Sequence, residues 1–263
     1  MKSITPFSYN NIVFIGAGGT GSHQIPDIIR AIMTHPIIGS NPPKITIIDP
    51  DDVDLNNPNR QNFNFTDVGY NKAMALAVRY SAKFGLPIAF SSARVTPSNI
   101  SKIINDQGKT LIIEAVDKKY VRKDIYDFVQ NNHNVDWISL GNTKDSGQLT
   151  FYCFSLGLER SVVDVFPNDF EYAALEEERK KDNNQSCAEN TIKEPQSLAI
   201  NKEAANKAVN FFYQMLYERS ITYDIVFFDR FNNSRTIKLD EQVFKKVQTE
   251  DIEKFKNLFN KAI

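Results

Sequence analysis

Five short apolar runs mark the first half of the chain, and each is followed by residues with a different spacing. "NIVFIG" (11–16), "KITIIDP" (44–50), "PIAFSSARV" (87–95), "KTLIIEAV" (109–116) and "VDWISLG" (135–141) are continuous rather than alternating, as strands buried on both faces are. Between them the apolar positions recur at helical spacing, which predicts helices from about Gly19 to Thr34, over 68–84 and over 118–131. Pro26 falls in the second turn of the first helix. Strand and helix in alternation predict an α/β fold: a Rossmann-like, mostly parallel sheet with helices on both faces.

After Gly141 the rhythm changes. "GQLTFYCFSL" (147–156) follows its predecessor too closely for a crossover, so an antiparallel addition is expected. Residues 160–195 are polar and irregular, and the run "EEERKKDNNQSCAEN" reads as a solvated helix end or loop. "PQSLAINKEAANKAVNFFYQMLYERS" (195–220) predicts a long helix with apolar positions at Leu198, Ala205, Val209, Phe212 and Leu216. "TYDIVFFDR" and "SRTIKLD" predict a closing hairpin. The expectation is a single domain over 1–263: a core at 11–150, a loop-rich insertion at 160–195, and a C-terminal helix and hairpin at 196–240.

Charge and cysteine content narrow the chemistry. With 31 basic and 32 acidic residues the formal net charge is −1, so no global field recruits nucleic acid, and any anion site must be local. The two cysteines, Cys153 and Cys187, form no C-x-x-C pair, which argues against a disulfide framework and a structural zinc and suits a reducing cytoplasm. No run approaches membrane-spanning length.

The first strand runs into glycines. Gly16, Gly18 and Gly21 satisfy G-x-G-x-x-G between a strand and a helix, a turn that brings backbone N–H groups to a phosphate. Asp49, at the end of the second strand, can accept both hydroxyls of a ribose, which suits NAD and ATP alike. The next loop discriminates. Arg60 follows Asp49 by eleven positions and Lys72 follows Arg60 by twelve, so two cations join the glycine turn where a triphosphate needs more compensation than a pyrophosphate. Asn57 and Gln61 add polar contacts, and Asp117, just past the fourth strand, is placed either to hold Mg²⁺ with phosphate oxygens or to cap the next helix.

Taken together, "GAGGTG" (16–21), "DPDDVDLNNPNRQ" (49–61), "DVGYNK" (67–72), "DKKYVR" (117–122) and "GNTKDSGQ" (141–148) resemble the ThiF/MoeB/ubiquitin-activating enzyme superfamily in order and spacing. "QSCAEN" followed by the long helix resembles that family's crossover segment, and the short length, "DSGQ" and "VFPNDF" look most like the ThiF-like proteins of PRTRC cassettes. The resemblance implies ATP-dependent adenylation of the C-terminal glycine of a ubiquitin-like β-grasp protein, a homodimer, and a conjugating enzyme as a further partner. It implies that Gly16, Gly18, Gly19 and Gly21 hold the nucleotide and Asp49 its ribose. Asn57, Arg60, Gln61 and Lys72 would meet the phosphates and the reacting carboxylate, Asp117 would bind Mg²⁺, and Cys187 would match the catalytic or sulfur-carrying cysteine. Departures are the missing C-x-x-C pairs, so no zinc is expected, and an N-terminus that offers only Lys2 where relatives often carry an arginine. Two other readings of the residues stand beside this one: a non-catalytic scaffold that binds a ubiquitin-like protein, and an NAD-dependent oxidoreductase.

Overall fold

The structure is a computed structural model that describes residues 2–3, 7–104, 108–184, 198–221, 223–229, 231 and 233–238. Its strands are β1 (Lys2–Ser3), β2 (Asn11–Ile15), β3 (Lys44–Ile48), β4 (Ile88–Ser91), β5 (Thr110–Glu114), β6 (Val135–Asn142), β7 (Ser146–Tyr152), β8 (Ser220–Ile221), β9 (Tyr223–Asp229) and β10 (Ser234–Lys238). Its α-helices are α1 (Gly21–Thr34), α2 (Lys72–Phe84), α3 (Ile100–Ile103), α4 (Lys119–Gln130), α5 (Val162–Val165), α6 (Tyr172–Asn184) and α7 (Leu198–Tyr213). One eight-stranded sheet runs β10-β9-β7-β6-β5-β2-β3-β4. The five strands from β6 to β4 pair in parallel, and β7, β9 and β10 extend the sheet with antiparallel pairings. The short strands β1 and β8 form a separate ribbon.

The apolar runs become strands because both of their faces are covered. Along β2, Ile12 and Phe14 enter a core closed by α1, α2 and α7, while Val13 and Ile15 enter a second core closed by α3, α4, α5 and α6. Trp137 and Tyr120 fill the second core, and Phe211 and Phe212 of α7 fill the first. Pro26 lies inside α1 and is buried with Ile25, Ile28, Ile29 and Ile32.

Three expectations need correction. The described part of the expected loop, 160–184, contains the α-helices α5 and α6, and the charges on α6 are not merely solvated. In α6, Arg179 pairs with Asp124 of α4 at 3.0 Å, Asp182 binds Arg94 and Lys118, and the Tyr120 N–H donates to Glu178. Ion pairs hold this helix against α4, with Leu175 as its buried apolar anchor. In α7 the buried face is Ile200, Asn201, Ala204, Ala205, Ala208, Phe211 and Phe212, whereas Leu198 is exposed. The first helix starts at Gly21, because Gly18 to Thr20 are spent in the turn.

Candidate functional site

The chain runs from β2 outward through β3 to β4, then returns to β5 on the other side of β2, which makes the C-terminal ends of β2, β3 and β5 a topological switch point. Register puts the three exits level: Ile15 lies opposite Ile48 on one side and Glu114 on the other. The glycine turn, Asp49 and Asp117 therefore leave the sheet side by side, as the sequence pattern anticipates.

The four glycines are not equivalent. Gly16 has φ +95°, and a side chain there would meet the Ala115 carbonyl at 2.8 Å. A Cβ on Gly21 would collide with the Gly16 carbonyl oxygen, so this glycine closes the turn on itself. A Cβ on Gly19 would run into the side chain of Asn201. Only Gly18 of the four faces open space. Gly18 is thus open on the side where a Cβ would stand, while the other three are hemmed in by the protein itself.

Asp49 is buried, and both of its carboxylate oxygens accept from backbone: Oδ2 from the Ala17 N–H at 2.6 Å and Oδ1 from the Asp51 N–H at 2.9 Å. It thereby stitches the glycine turn to the end of β3. Burial pushes its pKa up to about 6, opposed by the Lys72 charge and the two backbone donors and reinforced by Asp51.

Lys72 is the first residue of α2, its ammonium 3.1 Å from Asp51. Burial pulls the ammonium down, but the Asp49 and Asp51 carboxylates outweigh this and hold its pKa above the ordinary lysine value, with Asp117 adding to them. Asn71, the N-cap of α2, accepts from the Met74 N–H and donates to the Asp49 and Asp51 carbonyls at 2.9 and 3.0 Å. This asparagine fixes the position of Lys72 relative to the β3 exit.

Asn57, Arg60 and Gln61 sit on a loop docked on the first turn of α1. The Asn62 backbone N–H donates to Ser22 Oγ at 2.9 Å, and the Asn62 side chain donates to the Ser22 carbonyl at 3.1 Å. Asn57 is buried and accepts weakly from the Asp54 N–H, so it shapes the loop from within. The Gln61 Oε1 is buried and has no hydrogen-bond partner among the described residues. The Arg60 carbonyl faces His23 Nε2 at 3.4 Å, and the Arg60 side chain forms no ion pair among the described residues.

Asp117 is exposed. It does not cap α4, whose N-cap is Lys118 and has no side-chain cap bond. Behind it, Arg122 ties the β5 exit to β6: it pairs with Glu114 at 3.3 Å and donates to the Leu140 carbonyl at 2.8 Å. Cys187 lies outside the described residues. Cys153, by contrast, is buried at the end of β7, and burial pushes its thiol up to about 11 with help from the Asp136 charge.

Sequence reasoning missed Asp51, Asn71, Arg122 and Asn201. The first two carried a readable signal, since an acid beside the ribose candidate and an asparagine just before a helix both have defined roles. A cleft of about 500 Å³ also opens on the flank of α1, between α2 and α7, lined by His23, Arg30, Asn62, Tyr80, Lys83 and Lys202. None of Gly18, Asp49, Lys72 or Asp117 lines it, so the level strand exits are the better candidate site.

Among solved structures, the fold is similar to PaaA, with TM-score 0.58 and 16% identity over 88% of this chain and 64% of that one. It is similar to E. coli MccB with ATP, with TM-score 0.60 and 15% identity over 88% and 64% of the two chains. It is also similar to the microcin C7 biosynthetic enzyme MccB in complex with N-formylated MccA, with TM-score 0.61 and 14% identity over 88% and 64%. At such identities the likeness is one of fold, and the chain spans about 64% of the length of these proteins. No curated protein matches the chain. The ThiF family model matches residues 7–247, and with the glycine turn, Asp49, the docked Arg60 loop and Lys72 gathered at the C-terminal ends of the central strands, the chain belongs to the ThiF family.

Proposed function

We propose that this protein uses ATP to adenylate the C-terminal glycine carboxylate of a ubiquitin-like β-grasp protein, and that Cys187 then accepts the acyl group. The observation that carries this reading is the grouping at the switch point. Ala17 and Lys72 both bear on Asp49, the Asp117 charge acts on Lys72, and the Arg60–Gln61 loop docks on the first turn of α1, three residues past Gly18, the open glycine of the turn. Family membership supports it, as does the fold likeness to MccB, which has been crystallised with ATP.

The chemistry needs little acid–base help. A C-terminal carboxylate is ionised at neutral pH and attacks the α-phosphorus of ATP directly. The bond from that phosphorus to the bridging oxygen breaks, and pyrophosphate leaves with the electron pair. The protein has to bring two anions together and stabilise the leaving charge. In this reading Gly18 admits the phosphates, Asp49 receives the ribose with the lone pairs its backbone donors leave free, and Arg60 and Lys72 offset charge. Lys72 is held by Asp51 and Asp49, so phosphate binding means exchanging carboxylate partners for phosphate oxygens. Gln61 offers its unpartnered oxygen to a donor on the substrate.

The metal donor set is sparse. No group of three or more His, Cys, Asp or Glu side chains gathers among the described residues, and Asp117 is a single exposed carboxylate. That suits Mg²⁺, which takes one or two carboxylates and completes its shell with phosphate oxygens and water. Held by Asp117, the ion would supply charge neutralisation at the phosphates.

The reading includes a homodimer in the cytoplasm, with a conjugating enzyme downstream. Leu55, Phe65 and Tyr70, all on the 53–70 segment that carries Arg60, are exposed apolar side chains that a second copy would cover. No described helix is long and apolar enough to cross a membrane. The test is isotope exchange from pyrophosphate into ATP, with and without a candidate ubiquitin-like protein. Exchange that depends on that protein is expected. Thermal stabilisation by NAD but not by Mg-ATP would overturn the reading.

A further inference from the structure

Asn201 joins the glycine turn to the far end of the chain. It lies in the first turn of α7 and is fully buried. Its Oδ1 accepts from Asn142 Nδ2 at 2.9 Å, and Asn142 Oδ1 accepts from Thr20 Oγ1 at 3.2 Å. Asn142 ends β6, and Thr20 is the N-cap residue of α1. Three elements distant in sequence thus meet through three side chains behind the turn.

The contact with Gly19 is closer still. A Cβ built there would meet the Nδ2 of Asn201, its Cγ at 2.8 Å and its Oδ1 at 3.0 Å, so the whole carboxamide lies against the glycine Cα. No backbone atom appears among those nearest contacts, and Gly19 has no positive φ that would demand glycine. The three nearest atoms that a side chain at Gly19 would meet all belong to the Asn201 carboxamide. The Asn201 Nδ2 finds no acceptor among the described residues, so this buried amide keeps a donor to spare beside the turn.

We propose that Asn201 is a positioning residue for the nucleotide: its carboxamide occupies the space left by Gly19, and with Asn142 and Thr20 it fixes the turn so that Gly18 faces the phosphates. This rests on the adenylation reading for its ligand, but the packing half does not. A rigid, preset turn binds a phosphate without first losing backbone freedom.

The experiment is a double-mutant cycle on the full chain with Gly19→Ala, Asn201→Ala and the pair, read by thermal denaturation and by Mg-ATP titration calorimetry. All three Asn201 atoms that a Gly19 Cβ would meet disappear in Asn201→Ala. Gly19→Ala should weaken Mg-ATP binding by about tenfold or more, and Asn201→Ala by several-fold with kcat for exchange nearly unchanged. The double variant should bind like Asn201→Ala, far better than the product of the two losses. If Gly19 serves phosphate approach directly, the double variant will bind as poorly as Gly19→Ala or worse, and the proposal fails. Coupling in stability with no change in Mg-ATP affinity would overturn the positioning role and leave Asn201 a packing residue. Failure of the wild type to bind Mg-ATP would defeat the adenylation reading and the ligand half of this proposal, while the stability cycle would still decide whether Asn201 dictates Gly19.

Discussion

Asp49 should make the protein's stability fall as the pH rises from about 4 to about 6. An acid whose pKa is raised on folding binds its proton more tightly in the native state than in the unfolded chain, so stability is fullest below the unfolded value and declines through the folded one. Here the shift is from 3.8 to about 6. That difference is worth about 3 kcal/mol at 1.36 kcal/mol per pKa unit. Asp49→Asn removes the titration but keeps the shape. An asparagine has one acceptor oxygen, so either the Ala17 or the Asp51 N–H must face its NH₂. That mismatch costs about 1–3 kcal/mol at every pH. The variant should therefore be less stable than the wild type near pH 4, and should match or exceed it above pH 6. Urea unfolding of both proteins between pH 4 and 7, without nucleotide, reads the difference directly. Glu114 and Asp124 are also pushed up, chiefly by burial, but they are common to both proteins and cancel. A wild-type-minus-variant difference that does not change with pH would refute the reasoning.

Lys72→Met keeps the buried stem and deletes the charge, so pyrophosphate exchange should fall by about a hundredfold or more, as when a charge-stabilising donor is lost; unchanged exchange would remove Lys72 from the chemistry. Asp117→Asn should cut turnover more than ATP affinity, because a metal helps most where charge develops; unaltered turnover and Mg²⁺ dependence would assign the metal elsewhere. Light scattering at micromolar concentration should give a dimer mass for the wild type and a monomer mass for Leu55→Glu/Phe65→Glu, and a monomeric wild type would end the homodimer proposal.

The sheet was legible because its strands are buried on both faces, and such strands appear as unbroken apolar runs. Boundaries slipped where that condition lapses. The third predicted strand, 87–95, shrinks to Ile88–Ser91 because β4 is the outer strand and Phe90 is exposed. The helix α6 escaped because its hold on α4 lies in Arg179, Asp182 and Glu178, and pairing between charges far apart in sequence leaves no periodic trace. The glycine turn could be located but not interpreted. That Gly19 answers to Asn201 depends on a contact that only the folded chain creates, whereas an asparagine among the alanines of an apolar helix face was a visible irregularity. Asp49 was read for its outward role, and its two backbone hydrogen bonds belong to the tertiary structure.

The choice between the cysteines can be argued from Cys153 alone. Its thiol, buried beside Asp136 and pushed up to about 11, has a thiolate fraction near neutrality too small for useful attack. At pH 8 that fraction is about one part in a thousand, and the reactive species is the thiolate. Cys187 is the other cysteine in the chain, in the polar "NNQSCAEN" stretch. If it attacks the acyl-adenylate carbonyl, the carbon–oxygen bond to AMP breaks, AMP leaves, and a thioester remains. Incubation with Mg-ATP and the ubiquitin-like partner should then give an adduct that excess thiol releases. Cys187→Ala should abolish this adduct and leave pyrophosphate exchange intact, since adenylation precedes the thiol step. Cys153→Ala should keep both activities and lose about 1 kcal/mol of stability from a small core cavity. An adduct that persists in Cys187→Ala and vanishes in Cys153→Ala would show that the buried thiol becomes accessible during the reaction. Exchange without any adduct in the wild type would mean that the adenylate passes to an external nucleophile, and that Cys187 plays no covalent part.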